Sequence, residues 1–291
     1  MRRWPNFLGF LLVLLLAMPA GAGELKLATW NLDWLTLRPS GDPALPADVH
    51  ARAPEDFTAL RAAADRLAAD VVALQEVDGP EPAARLFPPD RYALHFTGDD
   101  VVQRVGFAVR RGLRFEVNSD LAALVPPGGR LRSGADITLV TPGGRLRLLA
   151  VHLKAGCRED PIASRRRPAC PQLRFQLAAL QGWIAQRTAE GVPFVILGDF
   201  NRWMEPPDTF WPALQQAAPL VRVTAGFSSP CWGGGRFIDH LLAGGAARAW
   251  LEPASLHVLV YRNADPALTR HEDRDRLSDH CPVSARFRLP D

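Results

Sequence analysis

The sequence carries no charge excess of either sign. Its 291 residues hold 34 Lys+Arg against 31 Asp+Glu, so no global field captures a polyanion, and a nucleic-acid partner needs a local basic patch. Lysine is scarce: Lys26 and Lys154 are the only two, and arginine supplies nearly all the positive charge. Cysteine is scarce as well, at four, with spacings that fit no zinc pattern. Beyond residue 23 there is no repeat, low-complexity linker or charge block to mark a domain boundary. That leaves a single domain over residues 23–291, and a hydrophobic content of 47% excludes a disordered chain.

The N-terminus differs from the rest. Arg2 and Arg3 precede an apolar run from Leu8 to Met18, followed by Pro19 and the small residues Ala20-Gly21-Ala22. A bilayer span needs roughly 20 apolar residues, so this run reads as a secretory signal peptide over residues 1–22, with cleavage expected after Ala22. Removal of Arg2 and Arg3 lowers the net charge from +3 to +1. The expected location is periplasmic or secreted, where an oxidising environment favours cysteine pairing. Four cysteines allow three connectivities. The preferred one joins Cys157 to Cys170 around an Arg-rich stretch and Cys231 to Cys281 beside the candidate site; four free buried thiols are the alternative.

Short apolar runs predict strands at Leu25–Leu32, Val71–Val77, Val105–Val109, Ile137–Val140, Leu146–Lys154, Phe194–Leu197, Phe237–Leu242 and Val283–Leu289. Thr141-Pro142-Gly143-Gly144 predicts a hairpin turn. Helical spacing appears at Phe57, Leu60, Ala64 and Leu67, and again at Leu173, Leu177, Leu180 and Ile184. Many strands with few helices predict an α/β sandwich of two packed sheets with helices outside, in preference to a doubly wound parallel sheet.

Polar residues fall where these strands end. Asn31 ends ATWN, Glu76 ends VVALQE, His152 ends LLAVH, Asp199 and Asn201 belong to GDFN, Asp239 follows FI, and Asp279-His280 precede the last strand. Each interrupts an apolar run in which a carboxylate or imidazole serves the core badly. Singly, each has an ordinary explanation as a turn former or a satisfied core group. Together they form a set without thiolates or paired imidazole ligands, a hard-oxygen site suited to Mg²⁺, or to Mn²⁺ as substitute, and not to zinc or copper.

The strings TWN, LQEV, HLKAG, GDFN, IDHLL and SDHCP occur in this order from about residue 25 to 289. The chain thereby resembles the endonuclease/exonuclease/phosphatase family, whose members are similar to deoxyribonuclease I. The resemblance implies a four-layered αββα sandwich and a metal-dependent phosphoesterase. It implies Glu76 as principal Mg²⁺ ligand, with Asn31 and Asp279 contributing directly or through water. Asp199 is expected to orient or deprotonate the attacking water, Asn201 and His152 to hold phosphate oxygens, and Asp239 to pair with His280 and fix its tautomer. A cationic His280 suits contact with phosphate. Lys154 and Arg104 are weaker candidates for substrate contact, while His240 faces away from Asp239 and reads as structural.

The family includes nucleases, phosphatases acting on inositol phosphates and sphingomyelin-cleaving lipases, so loops decide the substrate. Arg158 and Arg165-Arg166-Arg167, together with Arg202-Trp203 and Trp232, favour nucleic acid, the cations contacting phosphates and the indoles stacking on bases. The expectation is an exported, monomeric Mg²⁺-dependent phosphodiesterase, an endonuclease acting on DNA, without stable membrane association. Small phosphoesters, a sphingomyelinase-like activity and, last, a catalytically dead binding module are the alternatives.

Overall fold

A computed structural model describes residues 23–264 and 271–290; the expected signal peptide lies outside the described residues. In chain order the main elements are β1 (Glu24–Leu35), α1 (Pro54–Leu67), β2 (Val71–Val77), α2 (Pro80–Leu86), β3 (Tyr92–Phe96), β4 (Arg104–Arg110) and β5 (Arg114–Val117). Then come β6 (Ala135–Thr141), β7 (Gly144–His152), α3 (Ala169–Ala189), β8 (Phe194–Asp199), α4 (Phe210–Gln215), β9 (Leu220–Arg222), β10 (Asp239–Gly244), β11 (His257–Val258) and β12 (Val283–Arg288). They form two six-stranded sheets, ordered β11-β12-β1-β2-β4-β3 and β5-β6-β7-β8-β10-β9.

Each sheet is antiparallel except at its centre, where β1 pairs with β2 and β7 with β8 in parallel. The crossovers of these parallel pairs contain α1 and α3, the two helices whose apolar spacing the sequence displays. Alternation along the strands sorts side chains into layers. Val71, Ala73, Val195 and Leu197 pack between the sheets, with Phe107, Leu148, Leu241 and Phe287. Val72 and Leu74 face outward under Leu60, Ala64 and Leu67 of α1, while Phe194 and Ile196 lie under Leu173, Leu180 and Trp183 of α3. The result is the expected αββα sandwich. Both expected disulfides form, Cys157–Cys170 and Cys231–Cys281, and Thr141 pairs with Gly144 at the expected hairpin.

All eight expected strands are present, though β10 begins at Asp239, with Phe237 and Ile238 in the loop before it. The unanticipated strands β3, β5, β9 and β11 are short and lie at or beside sheet edges, where one open flank leaves little apolar signal. Helix α2 reads PEPAARL, and its first proline occupies the helix start, where a missing N–H costs nothing.

The glycine of GDFN has a packing reason. Gly198 lies opposite Val151 on the parallel neighbour β7, and a Cβ there would meet the Val151 carbonyl oxygen at 1.9 Å. Gly198→Ala is therefore expected to force β7 and β8 apart at a cost of roughly 1–3 kcal/mol, lowering the thermal midpoint by about 2–4 °C per kcal/mol. An unchanged midpoint by calorimetry would refute this contact.

Candidate active site

The strand topology brings the polar strand ends together. Because β1 and β2 run parallel, as do β7 and β8, Asn31, Glu76, His152 and Asp199 sit at one edge of the sandwich. The antiparallel strands β10 and β12 begin at that edge, which adds Asp239 and the preceding Asp279-His280. Register places His152 opposite Asp199 and Asp199 opposite Asp239. In the first sheet the ladder is interrupted between Asn31 and Leu35. Asp33, Trp34 and Glu76 there take positive φ of 43°, 58° and 57°, a conformation that side chains other than Gly, Asn and Asp rarely adopt and that clusters at functional sites.

Asn31 links the two sheets. Its Nδ2 donates to Glu76 Oε1 at 3.0 Å and to Asp199 Oδ2 at 3.2 Å, and its Oδ1 accepts from the Asp33 backbone N–H. Asn201 holds Asp199 from the other side: its backbone N–H donates to Oδ1 at 2.7 Å, and its side-chain amide to Oδ2 and to the Leu153 carbonyl. His280 Nδ1 lies 2.7 Å from Asp239 Oδ2, which leaves Nε2 directed toward Asp279 (3.5 Å) and Asp199 (3.8 Å). His152 Nε2 approaches Glu76 at 3.4 Å and Asp199 at 3.6 Å. Donor atoms of Glu76, His152 and Asp199 lie within 4.8 Å of one another, as do those of Asp199, Asp239 and His280.

Burial divides the two imidazoles. It pushes His152 well below the ordinary imidazole value, with Arg132, His280 and Lys154 adding to the effect, so His152 is neutral. Burial also opposes the charge of His280, but the carboxylates of Asp239, Asp199 and Asp279 outweigh it and raise the pKa well above the ordinary value. His280 is a cation whose Nδ1–H donates to Asp239. Asp199 is pushed up to about 7, chiefly by burial, with His280 opposing. Asp33, buried beside Asp279 and Glu76, is pushed up to about 6.

The donor set fits a hard divalent cation. Glu76 and Asp199 converge on a single amide, Asn31, and among the described residues no lysine or arginine pairs with Asp199. A protonated His280 cannot ligate, so the Glu76 side of the cluster is the side that fits the ion. Asp279 is 41% exposed at its side chain and pairs with Arg274 at 3.6 Å.

Of the weaker candidates, Lys154 lies just past the end of β7 and half-buried, its N–H bonded to Gln176. Arg104 pairs with Asp78 at 3.8 Å beside an open cavity. His240 is fully buried: Nε2–H donates to the Arg202 carbonyl at 2.9 Å, so Nδ1 accepts from the Thr224 hydroxyl. Arg202 departs from the expected phosphate contact. It is fully buried, bound to Asp208 and to the carbonyls of Cys157 and Asp160, because its five donors staple the Cys157 loop to the chain after GDFN. Trp232 stacks on Tyr261 at 5.3 Å, and Trp203 lies under Arg236 at 4.5 Å, so each has one ring face engaged. Arg158, Arg165, Arg166 and Arg167 are exposed.

Three residues that sequence reasoning passed over support the site. Gln103 donates to Glu76 Oε2, Arg132 donates to Gln103 Oε1 and the His152 carbonyl, and Ser278 donates to the Asn31 carbonyl while accepting from His280 N–H. Only Ser278 had a signal, its place in SDH.

The model of the Endonuclease/Exonuclease/phosphatase family matches residues 28–280. No curated protein sequence matches significantly. Among solved structures, TDP2 from C. elegans superposes with a TM-score of 0.60 at 16% identity, over 94% of this chain and 77% of that one. The 3' phosphatase NExo from Neisseria bound to product DNA hairpin gives 0.57 at 18% identity, over 90% and 99%. D. rerio TDP2 complexed with single strand DNA product gives 0.57 at 17%, over 91% and 98%.

The buried His240 yields a pH prediction. Burial pushes its pKa down to about 3, against about 6.5 in an unfolded chain. Between those values the unfolded chain binds a proton that the folded one lacks, so this group's contribution weakens as pH falls. Relative to His240→Gln, wild-type stability in denaturant titrations should drop between pH 6 and pH 4 by on the order of 1 kcal/mol per pH unit. A difference that stays flat would show that His240 is not held neutral by burial.

Proposed function

We propose a reaction on one premise: the chain belongs to the endonuclease/exonuclease/phosphatase family of metal-dependent phosphoesterases. It is an exported Mg²⁺-dependent phosphodiesterase that cuts DNA internally. The observation that carries this reading is the meeting of Asn31, Glu76, His152, Asp199, Asp239 and His280 at one sheet edge. Glu76 would hold the metal, with Asn31 and Asp279 contributing; when bound, the ion neutralises charge that develops on the non-bridging phosphate oxygens. Two formed disulfides agree with an oxidising compartment. DNA is favoured by the exposed arginines of the Cys157–Cys170 loop and by the DNA products bound to two similar structures.

The protein groups divide the remaining work. Asp199, held on both oxygens by Asn201 and Asn31, has a pKa near neutrality and takes the proton of the water that attacks phosphorus in line. His280 presents Nε2–H to the phosphate while Asp239 fixes the ring, so a positive donor stands ready before charge accumulates. Neutral His152 offers a hydrogen bond without a second positive charge, and Asn201 keeps the Asp199 carboxylate aimed.

Supercoiled plasmid and oxidised protein of residues 23–291 test the reading. Nicking should require Mg²⁺, stop with EDTA, and fall by at least about 10²-fold in Glu76→Gln, the order lost when one electrostatic stabiliser is removed. Wild-type turnover by Glu76→Gln would refute the metal assignment, and hydrolysis of small phosphoesters without nicking would refute DNA. Replacing Arg165, Arg166 and Arg167 together by Gln should reduce the slope of log K for DNA binding against log salt by up to roughly 3, at about 0.9 per phosphate contact. An unchanged slope would remove that loop from the interface.

A further inference from the structure

The motif TWNLDWL places Trp34 three residues after Asn31, on the interrupted stretch of β1 and at a φ of 58°. Its ring belongs to none of the core clusters and engages no aromatic or guanidinium partner among the described residues. It lines an open cavity of about 590 Å³, a volume that accepts a small-molecule-sized group. The same cavity is lined by Gln103, whose amide donates to Glu76, so it abuts the catalytic edge.

The other walls combine the apolar Pro43, Leu45, Pro46 and Val102 with four arginines and, at the exposed side, Asp100. Arg130 is exposed and has no ion-pair partner among the described residues, and Arg104 and Arg132 face the same space. The one carboxylate deep in this wall, Asp78, is neutralised between Arg38 at 2.7 Å and Arg104 at 3.8 Å and accepts from Thr36. The β3–β4 loop that closes the cavity is pinned, because Asp99 accepts both the N–H and the hydroxyl of Ser133 at 2.8 Å. A flat apolar ring lining an open cavity, set beside the exposed guanidinium of Arg130 and the partly exposed one of Arg104 and one residue away from Glu76, matches a nucleotide: a base for the ring and a phosphate for the cations.

We propose that this cavity is a nucleotide subsite, in which an unpaired base next to the cleaved phosphodiester stacks on Trp34 while its phosphate contacts Arg104 and Arg130. The proposal rests on the DNA reading above and narrows it: the strand around the cut is single-stranded, and Trp34 is a specificity-determining residue.

The test is an abasic scan. Single-stranded oligonucleotides, each lacking one base at a defined distance from a mapped cut, are cleaved by oxidised protein of residues 23–291 in Mg²⁺. One position close to the cut should lower kcat/KM at that bond by roughly 5- to 150-fold, the span of base–aromatic stacking. In Trp34→Leu the intact strand should fall to the rate of the abasic one, and Trp34→Tyr should restore the difference in part. The proposal is overturned if no abasic position slows the wild type, a result independent of whether any variant folds, or if the full penalty persists in Trp34→Leu. If the wild type nicks supercoiled plasmid but cleaves no single strand, the subsite is overturned and the DNA reading stands; if it cleaves neither yet hydrolyses bis(p-nitrophenyl) phosphate, the DNA reading itself fails and the subsite with it.

Discussion

One carboxamide spans the seam on which the site is built. Glu76 belongs to the first sheet and Asp199 to the second, and Asn31 donates one hydrogen bond to each. Two carboxylates, one buried and one partly buried, that approach a common point repel one another, so their convergence depends on donors that reach both. Hydrogen bonds to charged acceptors contribute about 1.5–3 kcal/mol each and leave a costly orphan when one partner is removed. The backbone of Asn31 extends the connection: its carbonyl accepts from Ser278, whose hydroxyl also takes the His280 N–H. Arg52 completes the junction by donating to the carbonyls of Leu32, Asp33, Trp34, Arg276 and Leu277. A shift of either sheet by one residue would therefore misplace Glu76, Asp199 and His280 together.

Within that frame, burial and neighbours assign chemistry to residues of identical type. His152 and His280 are both buried, yet one is held neutral and the other cationic. The difference lies in their neighbours: His280 has Asp239 on Nδ1, with Asp199 and Asp279 near, while the positive charges of Arg132, His280 and Lys154 add to the burial of His152, whose Nδ1 has no partner among the described residues. Pairs of titratable groups whose environments push them apart are how a site runs base and acid roles at one pH. Asp199 sits between them, raised by burial into the range where it can accept a proton and return it.

The central part of this architecture was legible in the sequence because central strands are buried on both faces. A run such as VVALQEV or FVILGD has no place for a carboxylate except at its end, so each interruption marks a strand terminus. The motif order then identified which termini converge. The edge was not legible: RFEV of β5 carries too few apolar residues to stand out, and two prolines masked α2. Gln103 and Arg132 lie on loops, where no periodicity distinguishes a supporting side chain from a solvated one. The expectation for Arg202 was overturned for the same reason. Following GDFN, a cation reads as solvent-facing, whereas Asp208 and two loop carbonyls draw it fully inside.

That reversal clarifies what the near-neutral composition hides. Only two of the 34 basic residues are lysines, and a buried ammonium can serve few acceptors in a fixed plane, whereas a guanidinium offers five donors in a rigid fork. Arg52, Arg132 and Arg202 use that fork to fasten loops around the site: Arg52 binds carbonyls, Arg132 a carbonyl and the Gln103 amide oxygen, and Arg202 carbonyls and Asp208. Their donors are consumed by structure. Arg130, Arg158, Arg165 and Arg166 have no such partners among the described residues and remain exposed. Arg130 lines the cavity beside Gln103, and Arg158 lines the one beside Asp239 and His280, so the local field at the site is not given by the net charge of the chain. Arginine-rich, nearly neutral proteins can thus present a directed basic surface, provided the fold decides which guanidinium groups are spent internally.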